Sequence, residues 1–327
     1  MAMWQFDLVK LNSSEFIKWD AWVMSRPEGC VFYSTHWLRA LSGIEPTVVV
    51  AKGDYNRIIG GFAFVEMPKK MGFTQIIPPV YTPFFAPFLP DKTQFEPEVR
   101  EGFIRELIEF IKPFDGMRWR SFSEGDESIF GKFAIESVPS ITMLLANPAT
   151  AEESYSRSLK SKLSKAIKSG LITKKAIPIN EVFPLVKESM ALNKREVPLA
   201  EIAFIKAFEE LQLVELVFTL GVYSAEGQLL AAGIYAKDLQ RVYNLVIGTP
   251  RNDTFPEAAS VLHHSAIEES AKLGLIFDFE GSSIPGVHTF YSRFKPQEVP
   301  INRYSFAGSA KSKLAAPILK SLGKNLY

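Results

Sequence analysis

Two carboxylates, a cluster of aromatics and a lysine follow one another in Phe277-Asp-Phe-Glu-Gly-Ser-Ser-Ile-Pro-Gly-Val-His-Thr-Phe-Tyr-Ser-Arg-Phe-Lys295. Leu275 to Phe279 reads as a short apolar strand that carries Asp278 and runs into Glu280. Alternation along a strand puts Asp278 and Glu280 on one face and Phe277 and Phe279 on the other. Two carboxylates on one face are either solvated or line a cavity. In a cavity, Glu280 accepts a proton from an amine nucleophile. The strand breaks at Gly281, and Ser282 or Ser283 is placed to cap a helix. Pro285 suits that helix's first turn. Phe290, Tyr291 and Phe294 then recur at helical spacing, with Lys295 at the end. This is either the wall of a site or a buried strand with a capped helix behind it, and spacing alone leaves both open.

A second concentration of charge lies upstream. Residues 151–170 read as a helix carrying Arg157, Lys160, Lys162, Lys165 and Lys168, with Lys174 and Lys175 on the strand that follows. Leu159, Leu163 and Ile167 recur every four residues and define its buried stripe, which leaves the lysines on the other faces. Those lysines form either a solvated face or a patch for a phosphate-bearing substrate, such as a tRNA end or a nucleotide-linked sugar. Gly170 ends the helix.

These two segments resemble the FemABX family and its relatives, acyltransferases built from tandem GNAT-like domains. The family's C-terminal stretch reads aromatic-Asp-Phe-x-Gly, an aromatic-rich helix, then Arg-Phe-Lys or Arg-Phe-Gly. Its basic helix ends in Lys-Ala-x-x-x-Gly, here Lys165-Ala-Ile-Lys-Ser-Gly170. The resemblance covers most of residues 140–306; the first half matches more loosely. It implies that Lys295 stabilises the negative charge developing on the transferred acyl group, as a fixed ammonium does beside a tetrahedral intermediate. It implies that Arg195, with Lys160 and Lys165, binds phosphates, and that Asp278 and Tyr291 contact substrate. The implied reaction is acyl or aminoacyl transfer to an amine of a cell-wall (peptidoglycan) precursor or glycan-type acceptor. The co-substrate would be an aminoacyl-tRNA or an acyl-CoA, with no resident cofactor and no metal.

Some positions depart from the family pattern. Pro296 follows Lys295 where a small residue is usual. Tyr33-Ser-Thr-His-Trp37 resembles the family's entry to a helix, but Leu41 stands where a phosphate-binding lysine is often found, and Arg39 is a substitute. Gly248 to Glu257 has one glycine and two prolines, unlike the glycine-rich loop that holds a pyrophosphate at a helix N-terminus. That favours a donor other than acetyl-CoA, or one held differently. A non-catalytic ligand-binding protein on a degenerate GNAT-like fold and an acetyl-CoA-dependent N-acetyltransferase remain the alternatives.

The elements needed to position these residues are legible as an α/β (α+β) chain. Of its 327 residues, 47% are hydrophobic and 22% charged, ample for two cores. Two β-hairpins echo one another: 47–52 with 58–65, and 216–223 with 229–236. Helices are expected over 13–26, 36–41, 97–111, 181–193, 199–211 and 256–273, with strands at 117–121 and 140–146. This alternation predicts two tandem GNAT-like domains, each a mixed central sheet flanked by helices. They are placed at 1–147 and 148–327, divided near Asn147-Pro148.

Five prolines among residues 78–90 forbid a helix or central strand there. The aromatics among them mark either a cleft wall or an apolar lid over the first core. Net charge of +1 supplies no global field for DNA or membrane. The single Cys30 excludes an internal disulfide, and the four histidines show no ligand spacing. No signal peptide or membrane-length apolar run is evident, so a cytoplasmic protein is expected. A basic helix over 311–324 either packs on the second domain or docks on anionic membrane.

Overall fold

The computed structural model describes residues 8–68, 72–121, 127–281, 284–309 and 311–313. The chain forms two compact units, residues 1–140 with 300–327 and residues 141–299.

In the first unit, Leu8–Lys10 (β1) precedes Phe16–Met24 (α1), which buries Trp19 and Val23 completely. Thr35–Ser42 (α2) begins where Ser34 Oγ accepts the Trp37 amide and ends at Gly43, φ 67°. Thr47–Lys52 (β2) and Ile58–Phe64 (β3) form the expected hairpin, with β2 also paired to β1. Gln75–Ile76 (β4), Pro97–Ile111 (α3), Gly116–Ser121 (β5) and Glu127–Gly131 (α4) follow. The proline-rich stretch bridges this unit's two sheets. Phe88 exchanges backbone hydrogen bonds with Gly61 in β3 at 2.9 and 2.7 Å, and Phe85 does so with Arg120 in β5 at 3.1 and 2.9 Å. Phe84, Phe85 and Phe88 are buried, so the segment covers the first core.

Glu136–Leu145 (β6) carries the chain into the second unit. Ala151–Ser154 (α5) and Arg157–Lys168 (α6) lead to Ile172–Lys175 (β7). Ile179–Leu192 (α7) and Glu201–Leu213 (α8) follow. Then come Val217–Tyr223 (β8), Leu229–Lys237 (β9) and Arg241–Gly248 (β10). Ala258–Leu273 (α9), Ile276–Asp278 (β11) and Pro285–Tyr291 (α10) complete the unit. The strand order is β6-β11-β10-β9-β8-β7, antiparallel except for β10 with β11. The sheet is therefore mixed and helix-flanked, as the sequence predicts.

The buried stripe of α6 differs from the four-residue repeat read in the sequence. Leu159, Leu163 and Ala166 are buried, whereas Ile167 is 79% exposed. Each step of four residues overshoots a 3.6-residue turn by about 40°, so the second step, from Leu163 to Ile167, leaves the seam. Gly170, φ 68°, follows the helix, and the Leu171 and Gly170 amides donate to the Ala166 and Ile167 carbonyls, closing it as expected.

The last strand, Gln297–Ala307 (β12), returns to the first unit and pairs antiparallel with β5, from Asn302 opposite Ser121 to Ala307 opposite Gly116. Lys311 donates to the Gly72 carbonyl at 2.9 Å. The rest of the expected basic helix lies outside the described residues. Among those described, no helix is long and apolar enough to cross a membrane.

Candidate functional site

The second unit contains a cavity of about 410 Å³. Its wall is assembled from the end of α7 (Ser189, Met190, Leu192), the turn after it (Asn193, Arg195), the end of β10 and its loop (Ile247, Thr249, Arg251), α9 (Ala259, His263) and the segment 284–291. That volume falls in the ~300–1,000 Å³ range of small-molecule sites. Most of the lining is apolar. The chemistry therefore rests on four side chains, Arg195, Arg251, His263 and Tyr291.

Arg195 is placed by the turn that stops α7. Lys194 adopts a left-handed conformation, φ 55°, and the Arg195 amide donates to the Met190 carbonyl at 3.0 Å. Arg195 lines the cavity and is exposed, so it stands on the solvent side of the wall. Arg251 is also exposed and pairs with Asp253 at 2.9 Å.

Tyr291, on α10, is 9% exposed, and its hydroxyl accepts from Asn244 Nδ2 at 2.8 Å. Burial, reinforced by the Glu280 charge and opposed by the Asn244 bond, pushes its pKa far up, so it stays a neutral hydroxyl. His263 is 3% exposed and packed among Phe279, Phe290, Tyr291 and Phe294, with ring centroids 5.1–6.4 Å away. Its Nδ1 lies 2.8 Å from the Ala259 carbonyl oxygen, which can only accept, so Nδ1 carries the proton and Nε2 the lone pair. Burial pulls the imidazole pKa down to about 4, against the weaker upward pull of the Ala259 bond. The ring is neutral across the physiological range.

The residues expected from the sequence divide. Arg195 and Tyr291 come together at the cavity, and Asp278, Glu280, Lys160, Lys165 and Lys295 do not line it. Asp278 is fully buried in β11. It accepts from Thr142 Oγ1 at 2.6 Å and the Glu280 amide at 2.7 Å, and it pairs with Arg241 at 3.4 Å. Phe277 and Phe279 are buried as well, so neither face of this strand is solvated. Glu280 leaves the strand at φ 61°, which ends the alternation with Asp278. Gly281 follows at φ 63°, and a Cβ there would lie 2.7 Å from the Ile141 carbonyl oxygen. Ser282 and Ser283 lie outside the described residues; the N-cap position of α10 is Ile284.

Lys160 Nζ donates to the Glu153 carbonyl at 2.7 Å. Lys165 pairs at 3.2 Å with Glu257, whose side chain is 2% exposed and which occupies the N-cap of α9. Lys295 is exposed at the end of the Ser292–Phe294 turn, in a left-handed conformation, φ 59°. His263, Asn244 and Arg251 are the residues that sequence reasoning missed. The signal for His263 was its phase: it shares the buried face of α9 with Ala266 and Ile267. Among the described residues, no group of three or more His, Cys, Asp or Glu side chains could hold a metal ion.

No protein-family model matches the chain, and no curated protein matches it by sequence. Solved structures do. FemX is 12% identical, with a TM-score of 0.71 over 97% of this chain and 100% of that one. A tandem GNAT protein from the clavulanic acid biosynthesis pathway is 11% identical, with a TM-score of 0.59 over 93% and 99%. L-PGS from Bacillus licheniformis is 9% identical, with a TM-score of 0.57 over 95% and 96%. At these identities the likeness is one of architecture. The chain has the α/β fold of FemX and the tandem GNAT proteins.

Proposed function

We propose that this chain is an acyltransferase that moves an acyl or aminoacyl group onto the amine of a cell-wall precursor or glycan-type acceptor. The supporting observation is the second-unit cavity: apolar walls, arginines at its mouth, and a buried neutral tyrosine and imidazole inside. The amine nitrogen attacks the acyl carbonyl carbon, a C–N bond forms, the C–O or C–S bond to the carrier breaks, and the carrier leaves with the proton the amine sheds. Tyr291 O–H donates to the carbonyl oxygen as negative charge builds there, which low-dielectric surroundings strengthen. Arg195 and Arg251 hold anionic groups of a substrate. The sequence pattern implies the oxyanion role for Lys295, but that side chain is exposed and does not line the cavity, so Tyr291 is the oxyanion donor the cavity itself supplies.

Glu257 bears on the donor. A buried carboxylate at the N-cap of α9 opposes a pyrophosphate at that helix terminus, where the dipole would otherwise attract one. This supports an aminoacyl ester, as on charged tRNA, over a CoA thioester.

Lys295→Ala and Tyr291→Phe, each compared with the parent in an acyl-transfer assay, test the assigned roles. A drop in kcat of roughly 100-fold supports an oxyanion contact, and unchanged turnover removes that residue from the mechanism. The engagement of Lys165 by Glu257 and of Lys160 by Glu153 favours one rival, a binding protein on the same fold. Thermal shift with charged tRNA, acyl-CoA and nucleotide-linked muropeptides separates the two. A transferase is stabilised by both a donor and an acceptor, a binder by one class alone.

A further inference from the structure

His263 lines the cavity, and the lone pair on its Nε2 is unspent among the described residues. The ring is fixed by the Nδ1–H bond to Ala259 and by its aromatic box, yet Nε2 is buried and has no hydrogen-bond partner among the described residues. A buried acceptor left unpaired is costly, so the site is built for a molecule that brings a donor. A neutral imidazole also offers no charge to an anion. Arg195 and Arg251 at the mouth repel a cation entering behind them and attract an anion.

We propose that the inner end of this cavity binds the acceptor's amine in its neutral, nucleophilic form, with His263 Nε2 accepting its N–H bond and Arg195 and Arg251 holding an anionic group of the same molecule. This rests on the acyl-transfer reading for its purpose, while the binding mode stands on the cavity alone. An ammonium has no free lone pair, so a transferase must strip it of a proton before attack. An apolar pocket behind two guanidiniums lowers the amine's pKa by desolvation and by like charge. His263 then orients the neutral amine through one remaining N–H. The substrate class is a primary amine carrying a phosphate or carboxylate at the far end.

The test is a binding series of ω-aminoalkyl phosphates of graded length against alkyl phosphates of equal length. In the parent, one chain length is expected to bind about tenfold tighter with the amine than without it, the equivalent of ~1.4 kcal/mol. That preference grows as pH rises towards the amine's own pKa, about 10. In His263→Phe the preference falls to near one, and in Arg195→Ala both series weaken together. Nitrogen-15 NMR of the parent supplies a readout independent of any variant's folding: the His263 Nε2 resonance shifts with the aminoalkyl phosphate and not with the alkyl phosphate. Equal binding of the two series to the parent, no measurable binding of either, or a preference that survives His263→Phe overturns the proposal. A preference seen without acyl transfer in any assay leaves this site intact and removes the proposed function instead.

Discussion

Acidification isolates His263 from the rest of the second unit. Its imidazole has a pKa of about 4 in the folded chain against an ordinary 6.5. The native state therefore resists protonation while the unfolded chain accepts it. Stability falls as pH drops below 6.5 and stops falling from this cause only below about 4. Each pKa unit corresponds to ~1.36 kcal/mol, so going from pH 7 to pH 5 costs about 2 kcal/mol. Urea unfolding at a series of pH values, followed by tryptophan fluorescence and far-ultraviolet circular dichroism, measures this directly. His263→Phe keeps the ring within the aromatic box but removes the titration. The relevant quantity is the pH slope of each protein rather than its absolute stability. The parent is expected to lose about 2 kcal/mol more than His263→Phe over that window. Equal slopes would mean that His263 protonates in the folded chain as readily as in the unfolded one, which would contradict its burial.

Three other perturbations follow from the same geometry. Asp278→Ala removes the buried carboxylate that Thr142, the Glu280 amide and Arg241 share, and is expected to cost roughly 3–5 kcal/mol in urea unfolding. Gly281→Ala meets both a left-handed backbone and the Ile141 carbonyl. A loss of about 1–3 kcal/mol is expected from the conformation alone, and an unchanged Tm would contradict the close approach. Arg195→Ala removes a charged contact at the cavity mouth and is expected to raise the KM for an anionic substrate roughly 10- to 100-fold with stability nearly unchanged.

Local patterns announced most of the elements. Pro97 at a first turn, Gly170 after α6 and the paired hairpins are short-range signals, and the structure forms α3, α6 and both hairpins where those signals stand. What the sequence could not convey was pairing at a distance. Nothing within Gln297–Ala307 indicates that it lies beside β5. Asp278 illustrates the same limit at the site. A carboxylate on a strand looks catalytic in one dimension, and its claim on Thr142, 136 residues away, appears only in three. Arg195 and Tyr291 emerged from a motif, and the structure sets both on one cavity. His263 was passed over because two adjacent histidines, His263 and His264, on an amphipathic helix carry no ligand spacing. Its significance comes from the carbonyl that fixes its tautomer and the aromatics that keep it neutral.

Acyl transfer itself is the decisive measurement. The purified chain is incubated with radiolabelled aminoacyl-tRNA or acyl-CoA and a panel of amine acceptors that includes nucleotide-linked muropeptides, and the amide product is counted. Expected is a labelled amide from at least one donor–acceptor pair, reduced at least tenfold by Arg195→Ala or Tyr291→Phe. No amide from any pair, in protein that melts cooperatively and binds an acceptor, would contradict the assignment as a transferase.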